Sequence, residues 1–177
     1  MATTTPLGFR IPSADGTDQM SELEEWFRNL GTDVDTYLRA QISPLQSYSP
    51  TLGNVSIGTG GSPLSDFRWA NSGGIVTVIG RIILGTTGSV TGQIQVSTPV
   101  TMAGWSNQAI LGSAAFRDVS APATILGEAQ YATSTVVTLN VRGVTGSLIT
   151  LNNASATVPF TWAAGDYITC FFSFIPA

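Results

Sequence analysis

The sequence predicts a mainly β protein: an antiparallel, jelly-roll-like β-sandwich preceded by an N-terminal extended arm and a short α-helical segment. Three observations support this. Short apolar or alternating segments recur about every 8–12 residues over 66–177, a spacing typical of sandwiches. Apolar residues spaced by three and four positions are confined to residues 20–38. The first 40 residues hold seven acids and three arginines, whereas the remaining 137 residues hold only four of each.

The N-terminal part, residues 1–43, is predicted to be an attachment and oligomerisation segment. Over residues 1–17, prolines, glycines and an Asp15-Gly16 turn disfavour regular structure, so we expect an extended arm. Its apolar residues Phe9 and Ile11 have nothing local to pack against. We therefore expect the arm to lie on a neighbouring molecule.

A helix signal follows the arm. Ser21 and Glu24 form a capping box, in which each side chain accepts a hydrogen bond from an otherwise unpaired backbone amide. Gly31 interrupts the apolar stripe and Thr32 offers a second N-cap, so one long helix and two short helices both remain open. Pro44 is expected to end the element.

A helix of this length is only marginally stable by itself. Its apolar stripe must therefore pack on its own β-domain, on symmetry mates or on a larger particle. It supplies most of the residues that we expect to dock on a virion or to oligomerise. Together with the arm, these residues are Phe9, Ile11, Leu23, Trp26, Phe27, Leu30, Val34 and Leu38.

Residues 44–65 are rich in Ser, Gly, Pro and Thr and are predicted to be a linker, loosest over 58–63. Residues 66–177 are predicted to be the β-sandwich head. Turn signals separate its candidate strands. These strands are Asp66–Trp69, Ile75–Leu84, Thr91–Ser97, Ile110–Phe116, Thr124–Tyr131, Thr135–Val141, Ser147–Leu151, Ala156–Thr161 and Tyr167–Phe174.

The candidate strand Ile75–Leu84 is largely apolar on both faces, whereas Thr135–Val141 alternates between apolar and polar residues. A parallel sheet covered by helices would explain two apolar faces, but this region has no helix signal. We expect an identical subunit to cover the second face, with Ile79, Arg81 and Ile83 in the interface. Arg81 needs a partner and is expected to pair with Glu128 or Asp66, or else to occupy an exposed edge.

Composition points in the same direction and restricts the partners. Only 10% of the residues are charged, whereas a lone globular domain uses about a quarter. Such a surface is expected to associate with its own copies. The net charge of −4 and the lack of lysine argue against binding to nucleic acid or to an anionic membrane.

The sequence carries no signal-peptide pattern and no apolar run long enough for membrane insertion. The single cysteine, Cys170, lies in an apolar run and is predicted to be a buried hydrophobic residue.

Catalytic chemistry has little support. The chain has no histidine, which is the commonest general base and zinc ligand, and no lysine. We therefore expect no catalytic residue, metal or cofactor. The carboxylates of the head, Asp66, Asp118, Glu128 and Asp166, could in principle hydrolyse glycosides. Their sequence contexts favour turn formers and ion-pair partners instead.

Aromatic residues provide the candidate ligand contacts. Trp105 and Asn107 lie in a loop of small polar residues, and loops on rigid scaffolds often carry binding. Trp69 and Trp162 fall at strand ends, and core or subunit-seam packing is favoured for them over a sugar-binding groove. The segments 102–108 and 143–146 are the candidate contact loops.

Several segments share a layout with a known class of proteins. These segments are 8–13 in the arm, 69–78, 93–96 leading to Pro99, 112–116 and 162–168. The chain resembles the small tailed-phage structural proteins that carry C-terminal β-sandwich heads. The resemblance implies that the N-terminal part docks on other virion proteins, that the heads form trimers and that no catalytic residues belong to the pattern.

The resulting hypothesis is a non-enzymatic, homotrimeric virion structural protein, assembled in the host cytoplasm, at the tail tip or fibre. It would contribute to host-surface attachment, with a host-surface glycan as a candidate ligand. One alternative is a capsid decoration or head-fibre protein. Another is a stand-alone carbohydrate-binding module.

Overall fold

The computed structural model describes residues 3–4, 10–11, 20–41, 44–61, 66–106, 108–145 and 148–177. The chain divides into two compact units, Met1–Ser43 and Pro44–Ala177. The division falls at the predicted end of the attachment segment. Each unit is described by itself.

The described residues of the first unit form a strand pair and one helix. Strands β1 (Thr3–Thr4) and β2 (Arg10–Ile11) pair antiparallel, so the segment expected to lack regular structure contains a short hairpin-like pairing. Helix α1 (Met20–Gln41) runs through Gly31 without a break. The Thr32 hydroxyl donates to the Arg28 carbonyl one turn earlier, at 3.1 Å, and so does not act as an N-cap. The two-helix alternative is therefore wrong.

Where the second unit is described, it consists of ten antiparallel strands. They are β3 (Gln46–Ser47), β4 (Leu52–Ser56), β5 (Arg68–Ser72), β6 (Ile75–Ile83), β7 (Ser89–Ser97), β8 (Ile110–Asp118), β9 (Ala123–Thr133), β10 (Val136–Thr145), β11 (Leu148–Asn153) and β12 (Tyr167–Phe174). In the described part of the chain they form one curled sheet, ordered β3-β5-β6-β12-β8-β9-β10-β7-β4, with β11 paired to β10. The predicted mainly β, antiparallel class is confirmed.

One face of the curled sheet encloses a single apolar core, to which both halves of the sheet contribute as in a sandwich. Val78 on β6, Ile94 on β7, Leu139 on β10 and Phe172 on β12 are all fully buried there. Strict alternation along these strands turns every second side chain inward. Cys170 is buried on the same face, as predicted.

Residues 44–65 do not form a linker where the structure describes them. They supply β3 and β4, and Tyr48 ties the segment to the next part of the sheet. The Tyr48 backbone N–H donates to the Phe67 carbonyl at 3.3 Å, and the two rings meet edge to face at 5.6 Å. Farther along, the Gly85 N–H donates to the Ile57 carbonyl at 2.7 Å. The segment is therefore an integral part of the sheet.

Eight of the nine candidate strands correspond to observed strands, and Ala156–Thr161 does not. In this segment only Val158 is paired, in an isolated bridge with Ser155, which precedes the segment. Pro159 has no amide hydrogen to donate to a ladder. Instead, the Trp162 indole N–H donates to the Ser155 carbonyl at 2.8 Å and closes a compact loop.

In the helical residues that the structure describes, no stretch is both long and apolar enough to cross a bilayer.

Candidate functional site: the outer face of the sheet

The outward face of β6 is apolar and open in the single chain. Ile79 is 52% exposed and Ile75 is similarly exposed, whereas Val76 and Val78 between them are fully buried. Ile83, the third predicted interface residue of this region besides Ile79 and Arg81, is partly buried. The second apolar face expected from the sequence is therefore present on the surface of this unit.

Strand pairing extends this face across three more strands. Ile79 lies opposite Phe171 on β12, and Phe171 lies opposite Ser113 on β8. In the next row, Ala115 on β8 lies opposite Leu126 on β9. Phe171 is 50% exposed and Leu126 is 58% exposed, so large apolar side chains stand on both sides of small ones.

These side chains form a concavity that we call the apolar groove. Its volume is about 300 Å³. Ser113 and Ala115 have short side chains and leave space between Phe171 and Ile79 on one side and Leu126 on the other. Because large exposed apolar patches are typical of interaction surfaces, the apolar groove is a candidate functional site.

Two ion pairs flank the apolar groove. The Arg81 guanidinium donates from Nε and Nη2 to Asp66 Oδ2, at 3.2 and 3.0 Å. Of the two partners expected for Arg81, Asp66 is the observed one. Glu128 instead accepts from Nε and Nη2 of Arg142, at 3.0 and 2.8 Å.

Both guanidiniums are thus neutralised inside the chain, and covering the apolar groove would bury little uncompensated charge.

The other two carboxylates of the unit have structural roles. Asp118 Oδ1 accepts from the backbone N–H and hydroxyl of Ser120 and from the Ala121 N–H, at 2.7–3.0 Å. The Ser120 hydroxyl, helped by the Ala121 amide, lowers the pKa of Asp118 below its ordinary value. Asp166 is fully buried and accepts from the Val119 and Ala163 amides at 2.9 and 2.7 Å.

All four carboxylates of the head are therefore turn formers or ion-pair partners, as their sequence contexts indicated. Among the described residues, no three His, Cys, Asp or Glu side chains lie close enough together to hold a metal ion.

The predicted docking residues of the first unit are only partly described. Phe27 is 64% exposed and Leu38 and Val34 are also exposed, whereas Leu30 is partly buried. Phe9 and the side chains of Ile11, Leu23 and Trp26 lie outside the described residues. The exposed side chains of Phe27, Val34 and Leu38 lie on one side of α1.

The predicted ligand contacts have mixed outcomes. Trp105 is 41% exposed, and Asn107 lies outside the described residues. Trp162 packs on Phe160 with a 4.6 Å centroid separation and is partly buried against the core, as is Trp69. Residues 143–145 of the expected contact loop belong to β10, so the prediction of a loop there is wrong.

A second concavity, which sequence reasoning missed, lies on the outward side of β7, β9 and β10. We call it the amide groove, and its volume is about 300 Å³. Asn140 is buried at its centre, where Gln93 Nε2 donates to Asn140 Oδ1 at 2.9 Å and Asn140 Nδ2 donates to Gln130 Oε1 at 2.5 Å. Each amide occupies an outward position of its strand. The amide residues at alternating strand positions are readable from the sequence, but the order of strands that brings them together is not.

No protein-family model matches the chain, and comparisons with curated proteins and with solved structures also found no match.

Proposed function

We propose that this protein is a non-enzymatic virion structural protein of a tailed phage, which assembles with identical copies through the outer face of its sheet. The observation that carries the proposal is the apolar groove, whose walls Ile79, Phe171 and Leu126 are each about half exposed in the single chain. The low charge content of the chain favours the same conclusion, since little repulsion opposes close approach of two copies.

The assembly that we propose is a homotrimer at the tail tip or fibre that contributes to host-surface attachment. The resemblance in layout to tailed-phage heads supports this location and stoichiometry. Several weak binding sites on one rigid trimer raise avidity by about 10²–10⁴ without any new contact. The exposed apolar stripe of α1, with Phe27 and Leu38, supports a docking role for the first unit.

The engagement of Asp66, Asp118, Glu128 and Asp166 in structural hydrogen bonds supports the absence of enzymatic activity. Their oxygens already accept hydrogen bonds from arginines, backbone amides or a serine hydroxyl of the same chain, which leaves them poorly placed to act on a glycosidic bond.

The experiment that tests self-assembly is a mass measurement of the full chain in solution. We expect a particle of three chains at micromolar concentration. Ile79→Asp places a charge on the apolar groove and is expected to yield monomers. Ser134→Asp adds the same charge to the exposed turn between β9 and β10 and serves as the matched control. A monomeric native chain, or equal dissociation by both variants, contradicts the proposal.

A capsid decoration or head-fibre protein is the alternative location for the same assembly. Immunogold labelling of phage particles separates the two, because label on the head instead of the tail assigns the protein to the capsid.

A stand-alone carbohydrate-binding module is favoured by the exposed Trp105 and by the amide groove. It predicts a monomeric native chain that binds glycan.

A further inference from the structure

We propose that the amide groove is a binding site for a neutral saccharide. Its lining comes from β7, β9, β10 and β11 and from the loop before β8. The polar residues that line it include Gln93, Gln108, Gln130, Thr138, Asn140 and Asn153. The proposal gives a ligand class to the host-attachment role in the proposed function and in that respect rests on it.

The chemistry of the lining selects the ligand class. Among the described residues that line the groove, none carries a charge. Recognition of phosphate, sulfate or carboxylate groups relies on arginine, lysine or converging backbone amides. Amide side chains both donate and accept hydrogen bonds, which matches the hydroxyl groups of a sugar. The lining therefore favours a neutral, hydroxyl-rich ligand over an ionic one.

The central hydrogen bonds leave defined groups available. Asn140 is 3% exposed and uses both ends of its amide, accepting from Gln93 and donating to Gln130. Within the described residues, the acceptor Gln93 Oε1 and the donor Gln130 Nε2 are then without a hydrogen-bond partner. An acceptor and a donor are thus held on either side of a fixed central amide. Such preorganisation lowers the entropy lost when a ligand binds.

The edge of the groove is also held in place. Gln108 has a φ of 69°, a left-handed backbone conformation that residues other than glycine rarely adopt. Its N–H donates to the Tyr131 carbonyl at 3.1 Å, while the Tyr131 N–H donates to the Ala109 carbonyl at 2.8 Å. These bonds keep Gln108 at the groove in a strained conformation, and strain of this kind concentrates at ligand sites.

The same loop carries the exposed Trp105, three residues before Gln108. An aromatic face offers an apolar surface for the C–H groups of a sugar ring. Trp105 is not among the residues that line the amide groove, so in this proposal it would contact a further ring of a longer neutral saccharide.

The first test uses the full chain and immobilised oligosaccharides of glucose, galactose, mannose and arabinose, with sialylated and sulfated oligosaccharides as charged comparisons. We expect binding to at least one neutral oligosaccharide and weaker or no binding to the charged ones. Failure to bind any neutral oligosaccharide, or preference for the charged ones, overturns the proposal.

The second test separates a binding role from a structural one. Gln108→Gly removes the side-chain amide and relieves the positive φ, so the melting temperature should stay level or rise. The affinity for the neutral oligosaccharide should fall about tenfold, the effect of losing one well-formed hydrogen bond. An unchanged affinity contradicts the proposal.

Asn153→Ala and Asn152→Ala form a matched pair on β11. Asn153 lines the amide groove, and its neighbour points to the opposite side of the strand. We expect weaker binding for Asn153→Ala alone, and an equal loss for both variants would contradict the assignment.

Ile79→Asp tests the proposed assembly and the proposed glycan site separately. This variant should lose assembly but keep the affinity of each single chain for the oligosaccharide. A native chain that is monomeric but binds the oligosaccharide overturns only the proposed assembly. Retained assembly without glycan binding overturns only the site.

Discussion

Ile79 and Phe171 lie directly opposite each other across the pairing of β6 and β12, and each leaves about half of its side chain exposed. The residues next to them along the same strands, Val78 and Phe172, are also opposite each other and fully buried. The pleat thus places one apolar pair in the core and the adjacent apolar pair on the surface. Two neighbouring ladder positions should therefore respond differently to the same substitution.

Phe172→Ala is expected to lower the free energy of unfolding by about 3–5 kcal/mol, because it leaves a cavity in the core. Phe171→Ala should cost the isolated chain at most about 1 kcal/mol, since its side chain is already half in water. The same variant should weaken self-association. Urea unfolding at low protein concentration and sedimentation at higher concentration measure the two effects. Equal stability losses for both variants would show that the outer face is not open in the monomer.

Asp166→Asn should destabilise the fold by about 2 kcal/mol or more, because both oxygens of this fully buried carboxylate accept from backbone amides and the new NH₂ group would face one of these donors. Asp118→Asn is the matched control. All hydrogen bonds that Asp118 accepts go to Oδ1, so an asparagine can keep them with its carbonyl oxygen. Urea unfolding at neutral pH compares the variants, and a larger loss for Asp118→Asn would contradict these roles.

The pKa of Asp118 predicts a specific dependence of stability on pH. Hydrogen bonds from Ser120 and Ala121 lower this pKa below its ordinary value of 3.8. The stabilisation is therefore present above pH 3.8 and is lost as the pH falls through the lower pKa of the folded state. Asp118→Asn should lack this component. The stability difference between the native chain and this variant should shrink on acidification, and a difference that grows would contradict the sign.

Gly80→Ala is expected to destabilise the fold by about 1–3 kcal/mol through overpacking. A Cβ atom at this inward position of β6 would overlap the ring of Phe67, which lies fully buried against it. Gly31→Ala provides the contrast, because a Cβ there meets no atom within 4 Å. It should stabilise α1 by about 1 kcal/mol. Thermal unfolding followed by circular dichroism tests both, and tolerance of Gly80→Ala would contradict the packing.

Burial raises the pKa of the Cys170 thiol to about 12. The native chain should therefore react slowly with a maleimide at neutral pH, because the thiolate is scarce and the sulfur is enclosed. In urea the thiol should react fully. Under native conditions, the labelling rate of Cys170 should be limited by how often the structure around it opens. Above the ordinary thiol pKa of 9.0 this group should also reduce stability, since the folded state resists its ionisation. Rapid labelling of the native chain would contradict this burial.

Much of the fold was readable because its strands are bounded by clear turn signals. Ile75–Leu84 was predicted almost to the residue from its apolar content and the preceding Gly73-Gly74. Strand β4 was missed because its apolar residues Leu52 and Val55 are dispersed among Ser, Gly and Asn, a composition that also suits a linker. Its pairing with β7, distant in sequence, is what makes it a strand.

The candidate sites were less predictable. Ile79 and Arg81 were recognisable from the unusual pattern of one strand, whereas Phe171 and Leu126 look like ordinary members of other strands. Only the register of β6, β12, β8 and β9 brings them to one groove. The amide groove depends in the same way on the adjacency of β9, β10 and β7.

The sequence alone determined the alternation of side chains along the strands, the scarcity of charge and the two apolar faces of one strand, because all three are local properties of composition and spacing. Only the folded sheet decided which of those faces is buried. It also decided that Arg81 pairs with Asp66 and not with Glu128. The physical reason is that alternation assigns side chains to opposite faces of a strand, whereas the neighbours of that strand and the direction in which the sheet curls arise from pairings between distant residues.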